Sequence, residues 1–105
     1  MSRLEERYDR MAALRIHPDD FPDDAGDRIM EVFLLEGFIA GIAQRVLDGD
    51  GGPRGDEIEP LRKLYLDGRE WIWHGNRFDF SAFPDVVDYI RAIELVRMEI
   101  LRHCA

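Results

Sequence analysis

The side chains that could carry acid–base chemistry lie close together between residues 70 and 79. Glu70 and Asp79 flank His74 there, and a carboxylate beside an imidazole is a common general acid–base pair. Nucleophiles are scarce, because the chain has two serines, one lysine, one cysteine and no threonine. Ser2 is explained as a helix cap. We therefore expect no covalent catalysis and keep a small enzyme or enzyme subunit that uses Asp, Glu and His as an alternative function.

A second candidate is a twelve-residue loop between two predicted helices. Its acidic residues occupy positions 1, 3, 9 and 12, as in an EF-hand: Asp48, Asp50, Asp56 and Glu59. The rest of the pattern departs from that motif. Position 5 is Gly52, position 6 is Pro53 where the sharp turn needs glycine, and position 8 is Gly55. We expect an acidic linker here and keep weak Ca²⁺ binding as an alternative.

The three histidines, His17, His74 and His103, are isolated in the sequence. None has a second histidine or a cysteine at the spacing of a transition-metal site. We predict that His17 lies at a helix end, His74 in a turn and His103 at the C-terminal end of a helix. No glycine-rich nucleotide motif is present. The sequence therefore predicts no cofactor.

The charge of the chain is concentrated in two short segments. Fourteen basic residues against 22 acidic ones give a net charge of −8. Residues 18–27 contribute −5 and residues 48–59 contribute −4, so the remaining residues are close to neutral. This sign disfavours nucleic acid and anionic lipid as direct partners, because both require a basic surface. It favours a protein partner with a basic surface.

Two groups of residues are the candidates for contacting that partner. The first is the acidic group Asp19, Asp20, Asp23 and Asp24. The second is an aromatic group, Trp71, Trp73, Phe78 and Phe80. These aromatic residues alternate around the punctuation Gly75-Asn76, which predicts a small β-hairpin over residues 69–81. The competing interpretation continues the preceding helix to Trp73. Core packing is the ordinary role of such aromatics, and a partner surface or a homodimer through the hairpin edge is the functional one.

Helical spacing of apolar residues predicts two long helices. One covers residues 24–47, with apolar residues over more than half of its circumference, as in the central helix of a core. Gly37 and Gly41 are four residues apart and share a face on which another helix could approach closely. The other long helix begins at Pro84. Its predicted inward row is Val86, Ile90, Ile93, Val96 and Ile100.

Two shorter helices complete the predicted set. The first begins at a capping box on Ser2 and ends before Pro18. The second covers residues 57–66, with Pro60 in its first turn and Gly68 as its left-handed terminating residue. The predicted fold class is therefore mainly α, a compact bundle of about four helices with the hairpin before the last one.

Length and composition limit the organisation and the compartment. A chain of 105 residues fits a single domain, here with a flexible Gly/Asp-rich linker at residues 48–56. Cys104 is the only cysteine, so no internal disulfide forms, and a reducing cytoplasm is the expected location. The most apolar stretch, residues 29–43, contains two glutamates and is too short for a membrane span.

Together these observations predict a non-catalytic, acidic protein–protein interaction module. An inhibitor, an immunity-type antagonist or an accessory subunit that docks a basic partner would each fit. The expected candidate residues are the acidic and aromatic groups named above. The two alternatives are the acid–base enzyme and the weak Ca²⁺-binding domain.

Overall fold

A computed structural model describes residues 3–73 and 76–103 of the chain. Within these residues the chain forms four α-helices and a three-stranded antiparallel sheet. The elements in chain order are α1 (Arg3–Ala13), a 3-10 turn (Pro18–Asp20), α2 (Asp23–Leu47), α3 (Gly55–Lys63), β1 (Tyr65–Leu66), β2 (Glu70–Trp73), β3 (Asn76–Asp79) and α4 (Pro84–Arg102). The predicted fold class, a mainly helical bundle of about four helices, is confirmed.

The two long helices form the centre of the fold. α2 has 25 residues and α4 has 19, and both lie close to the predicted ranges. α4 begins with a proline. The N–H group of the first residue of a helix has no hydrogen-bond partner within the helix, so proline, which has no N–H group, is well suited to this position. All five residues of the predicted inward row of α4 are buried. α4 packs against both α1 and α2, so it joins the two sides of the core.

α1 packs across α4 through an apolar stripe and through ion pairs of Arg3 and Arg7 with Glu99. Leu4 and Met11 are buried, and their spacing of seven residues places them on one face of the helix. Arg7 donates a hydrogen bond of 2.8 Å from its guanidinium to the Glu99 carboxylate and a second one, 3.3 Å long, to the carbonyl oxygen of Leu95. The predicted cap, Ser2, lies outside the described residues.

The predicted helix over residues 57–66 is shorter than expected and is shifted. α3 ends at Lys63, and Pro60 lies inside it and not in its first turn. Residues 65 and 66 form strand β1. Leu64, Leu66 and Gly68 are all buried, which is the period-two pattern of a strand, whereas Leu61 and Leu64 also fit a helix. The apolar pattern therefore fits both a helix and a strand at residues 65 and 66. In the structure these two residues pair with β2 and form a strand.

Both strands of the hairpin predicted for residues 69–81 are present, with residues 74 and 75 outside the described residues, and β1 adds a third strand. β2 pairs with β3 in antiparallel register, with Trp71 opposite Phe78, and β1 pairs with the other edge of β2. Gly68 is left-handed, with φ 93°, but it lies in the turn between β1 and β2 and does not end a helix. Asp67 stabilises this turn by accepting hydrogen bonds from the amides of Arg69 and Glu70.

None of the helices within residues 3–73 and 76–103 combines the length and the apolar composition needed to cross a bilayer.

Candidate interaction surface

The first acidic segment forms the 3-10 turn and the start of α2. Asp19 and Asp20 lie in the turn, Asp23 and Asp24 are the first two residues of α2, and Asp27 follows one turn later. Carboxylates stabilise helix N-termini, which is the local reason for acidic residues at this place. The side chains of residues 19, 20 and 27 are exposed.

A shallow depression of about 320 Å³ opens beside this segment. Its lining combines two of the carboxylates with apolar groups and includes the exposed methionine of α2: Pro18, Asp19, Phe21, Gly26, Asp27 and Met30. Phe21 packs edge-on against Phe83, with ring centroids 5.7 Å apart, and so joins the segment to the start of α4. The acidic turn is therefore attached to the core and not a loose loop.

The second acidic segment begins where α2 ends. Gly49 and Gly51 have positive φ angles, 77° and 110°, and turn the chain away from the helix. Asp48 and Asp50 are exposed beside them. A second shallow depression of about 320 Å³ lies here, between α1 and the end of α2. It is lined by Glu5, Tyr8, Asp9, Gln44, Leu47 and Asp48.

The rest of the second segment is partly neutralised by ion pairs. Arg45 in α2 pairs with Glu57, which also accepts a hydrogen bond of 2.8 Å from the amide of Arg54. Lys63 pairs with Glu59 at 2.9 Å, and this hydrogen bond lowers the pKa of Glu59. The exposed negative charge of the segment therefore lies mainly at the end of α2.

The loop residues considered for Ca²⁺ are Asp48, Asp50, Asp56 and Glu59, and they are not gathered into a cation site. Across residues 3–73 and 76–103, no cluster of three or more His, Cys, Asp and Glu side chains is placed to hold a metal ion. Glu59 lies on α3 and contacts Lys63. The spacing along the sequence resembled a calcium loop, but the chain does not bend around a common point.

The outer face of α2 is apolar, although it faces solvent. We use this name for Met30, Leu34, Gly37 and Gly41, which lie on one side of the helix with Phe33 and Phe38 at its edges. Met30 is 41% exposed and Leu34 is 59% exposed. No other part of the described chain lies within 4 Å of a Cβ atom built on Gly37 or Gly41. The predicted central helix is thus buried on one side only, and none of the described helices covers the glycine face.

The one charged residue within residues 32–43, Glu36, lies on the inner side of α2 and is 3% exposed. Nε of Arg15 donates to Glu36 Oε1 at 2.5 Å, and the Tyr89 hydroxyl donates to the same oxygen at 3.0 Å. The hydrogen bond to Glu36 raises the pKa of Arg15. Sequence analysis did not identify this cluster, because its members lie far apart in the chain.

The aromatic candidates divide by burial. Phe80 is completely buried, which removes it from any exposed partner surface. Phe78 is partly buried, with its ring centroid 4.7 Å from that of Phe80 and 6.0 Å from the guanidinium of Arg28. Both residues follow the ordinary core role that the sequence also allowed. For Trp71 and Trp73 the structure gives strand positions in β2.

The acid–base candidates do not form an open catalytic pair among the described residues. Glu70 accepts two hydrogen bonds from Arg77, at 2.6 and 3.2 Å. Asp79 accepts from both the hydroxyl and the amide of Ser81, and the hydroxyl hydrogen bond in particular lowers the pKa of Asp79. His74 lies outside the described residues.

Of the two other histidines, His103 lies at the predicted helix end, whereas His17 does not, because α1 already ends at Ala13. His17 precedes the 3-10 turn, and its ring centroid lies 6.4 Å from that of Phe33. His103 is the residue that ends α4, and its amide donates to the carbonyl oxygen of Ile100.

Comparisons with protein-family models, with curated proteins and with solved structures found no match for this chain. The features on which a function can be argued are therefore those of the molecule itself: two exposed acidic depressions with an apolar helix face between them.

Proposed function

We propose that this chain is a non-catalytic protein–protein interaction module that docks a partner with a basic surface. An inhibitor, an immunity-type antagonist and an accessory subunit are three forms of this function. The observation that carries the proposal is the position of the exposed carboxylates, which lie beside shallow depressions at both ends of α2.

The physical argument rests on the field around these two ends. α2 has 25 residues, so its ends lie about 37 Å apart. This separation exceeds the screening length of about 8 Å at physiological ionic strength, so each end acts as its own negative site. Complementary fields of this kind accelerate the encounter with a basic protein before any contact forms. The same field repels phosphate backbones and anionic membranes.

The first experiment identifies the partner and measures its encounter rate. The protein is used to capture partners from the native host at low salt, and captured proteins are identified by mass spectrometry. Association of the purified partner is then followed by stopped flow. We expect the triple variant Asp19→Asn, Asp20→Asn, Asp27→Asn to slow association about tenfold at low salt, and to have little effect at high salt.

A matched control removes the same amount of charge elsewhere. Glu6→Gln, Asp85→Asn and Asp88→Asn also remove three exposed carboxylates, from α1 and the start of α4. This control should leave the association rate much closer to that of the unmodified protein. Equal association rates for the protein and both triple variants at low salt would contradict the proposed function.

A further inference from the structure

The outer face of α2 has the composition of a covered surface. A surface helix normally carries polar side chains on its solvent side. In α2 this arrangement is reversed from residue 32 to residue 43: the single charged side chain, Glu36, is buried, while Leu34 is 59% exposed. Phe33 and Phe38 are only partly buried at the edges of this face. Exposed apolar surface on successive turns of one helix marks an interaction site more often than scattered apolar residues do.

The two glycines give a second, independent indication. Gly37 and Gly41 lie on the exposed side of α2, away from its ends, where glycine stabilises a helix less than alanine does. No described part of the chain lies close enough to require a glycine at either position. Without side chains there, another helix can approach the backbone of α2 more closely than the usual 8–10 Å between axes. The space is open for a partner from outside the chain.

The charges at the ends of this face define the partner further. Met30 lines the depression that contains Asp19 and Asp27. Gln44, fourteen residues later, lines the depression that contains Glu5, Asp9 and Asp48. Fourteen residues of helix span about 21 Å. An apolar stripe of about four turns is therefore enclosed at each end by carboxylates.

Resting on the function proposed above, we propose that the outer face of α2 binds one amphipathic helix of the basic partner. The apolar side of that helix crosses Gly37 and Gly41, and its cationic residues, about 21 Å apart, enter the two acidic depressions. This is the helix-in-groove mode of recognition, in which apolar residues anchor the helix and charges fix its position and direction.

Charge also distinguishes this occupant from a second copy of the chain. In a symmetric dimer through α2, an antiparallel arrangement brings Asp27 of one copy towards the Asp48 end of the other. A parallel arrangement brings each acidic end onto its equivalent. Either arrangement places carboxylates against carboxylates, which costs free energy. A partner with basic residues at both ends of its helix has no such cost.

The test uses a designed peptide as the probe. The peptide is a fluorescently labelled helix of about 20 residues with alanine and leucine on one side, glutamine on the other and a pair of arginines at each end. A control peptide carries glutamate in place of every arginine. We expect the arginine peptide to bind with micromolar affinity by fluorescence anisotropy, and the glutamate peptide not to bind.

Variants of the protein show whether binding occurs at the outer face. Leu34→Gln removes the most exposed apolar side chain, and Gly37→Met adds apolar surface but blocks close approach. Each should weaken peptide binding about tenfold. Met98→Gln is the matched control for Leu34→Gln, because it replaces an exposed apolar side chain with glutamine on a different helix, α4. It should leave binding unchanged.

Three outcomes would overturn the proposed site or its occupant. They are absence of arginine-peptide binding, equal binding by the Leu34→Gln variant, and a dimer in analytical ultracentrifugation that Leu34→Gln dissociates. Failure here is distinct from failure of the proposed function. If the host partner is captured in a salt-dependent way by both the unmodified protein and Leu34→Gln, docking by charge stands and the α2 site does not.

Discussion

Glu36 and Tyr89 form a buried polar contact whose energetics depend on both partners. The carboxylate is 3% exposed and Tyr89 is completely buried. A buried carboxylate without hydrogen-bond donors would be strongly destabilising. Arg15 and Tyr89 donate to the same oxygen of Glu36, so the charge is compensated from the segment after α1 and from α4 at once. The contact therefore fixes α2 relative to two other parts of the chain.

The first prediction concerns the pH dependence of this contact. Burial, together with the negative charge of Glu36, raises the pKa of Tyr89 well above its value of about 10 in an unfolded chain. The folded state therefore holds the phenol proton more tightly, and the stability from this proton is present below pH ~10 and lost as pH rises above it. At neutral pH, Tyr89→Phe should reduce the free energy of unfolding by about 1.5 kcal/mol.

The measurement is urea unfolding between about pH 8 and pH 11. Above pH ~10 the unmodified protein should lose up to about 1.4 kcal/mol of unfolding free energy per pH unit through Tyr89. The Tyr89→Phe variant has no phenol there and should not show this loss, so the stability difference between the two proteins should narrow. Tyr8→Phe, at a part-buried position of α1, is the matched control. A difference that stays constant across this range would contradict the assigned environment of Tyr89.

The sequence contained only part of the information at this scale. The charged residues of α2 were visible, but nothing marked Glu36 as buried. Its partners lie 21 and 53 positions away, and such distances are set by tertiary packing. The positions of Asp19 and Asp48 near opposite ends of a long helix, in contrast, followed directly from local spacing.

At the scale of elements, the glycines of α2 and of the sheet should respond in opposite directions. Gly37 and Gly41 have helical backbone and open surroundings, so Gly37→Ala and Gly41→Ala should each raise the free energy of unfolding by about 0.5–1 kcal/mol. Gly68 is left-handed, and a Cβ atom there would lie 2.6 Å from the side chain of Arg91. Gly68→Ala should therefore lower stability by about 1–2 kcal/mol.

Chemical denaturation of the three single variants tests this difference. The Gly68→Ala variant serves as the internal control, because it makes the same chemical change at a left-handed position. Destabilisation by Gly37→Ala or Gly41→Ala would mean that part of this chain already occupies the outer face of α2. That result would also remove the main support for a glycine contact with a partner.

A helix could be predicted well where its apolar spacing continued over many turns, and poorly where the pattern was short. The ranges of α2 and α4 followed from many turns of consistent apolar spacing and from the proline at the start of α4. The prediction of a single helix over residues 57–66 was wrong. Leu61 and Leu64 fit the spacing of a helix, while Leu64 and Leu66 fit the spacing of a strand. A nine-residue helix is too short to be decided by its own propensity.

For the whole molecule, arginine side chains join elements that are distant in sequence. Arg7 joins α1 to α4, Arg15 joins the segment after α1 to α2, and Arg45 joins α2 to α3. Arg97 joins α4 to α3, since it donates to the Leu61 carbonyl oxygen at 2.9 Å while also contacting Glu94. Local sequence spacing does not reveal these contacts, because the partners of the four arginines lie in other elements.

The last prediction follows from the attachment of α3 by Arg97. Isolated helices of fewer than about 12 residues are marginal in water, so α3 depends on its contacts with neighbouring elements. Arg97 is 13% exposed and donates to Glu94 through two nitrogens, at 2.8 and 2.7 Å, as well as to Leu61. Lysine has a single nitrogen and cannot reproduce this fork. Arg97→Lys should reduce stability by about 1–2 kcal/mol.

Hydrogen exchange followed by mass spectrometry tests where this loss occurs. We expect exchange in α3 to accelerate about tenfold, which corresponds to about 1.4 kcal/mol, while exchange in the buried parts of α2 and α4 changes less. Arg62→Lys makes the same substitution at an exposed position of α3 and should have little effect. Uniform acceleration throughout the molecule would contradict a local role, because it would mean that α3 unfolds only together with the core.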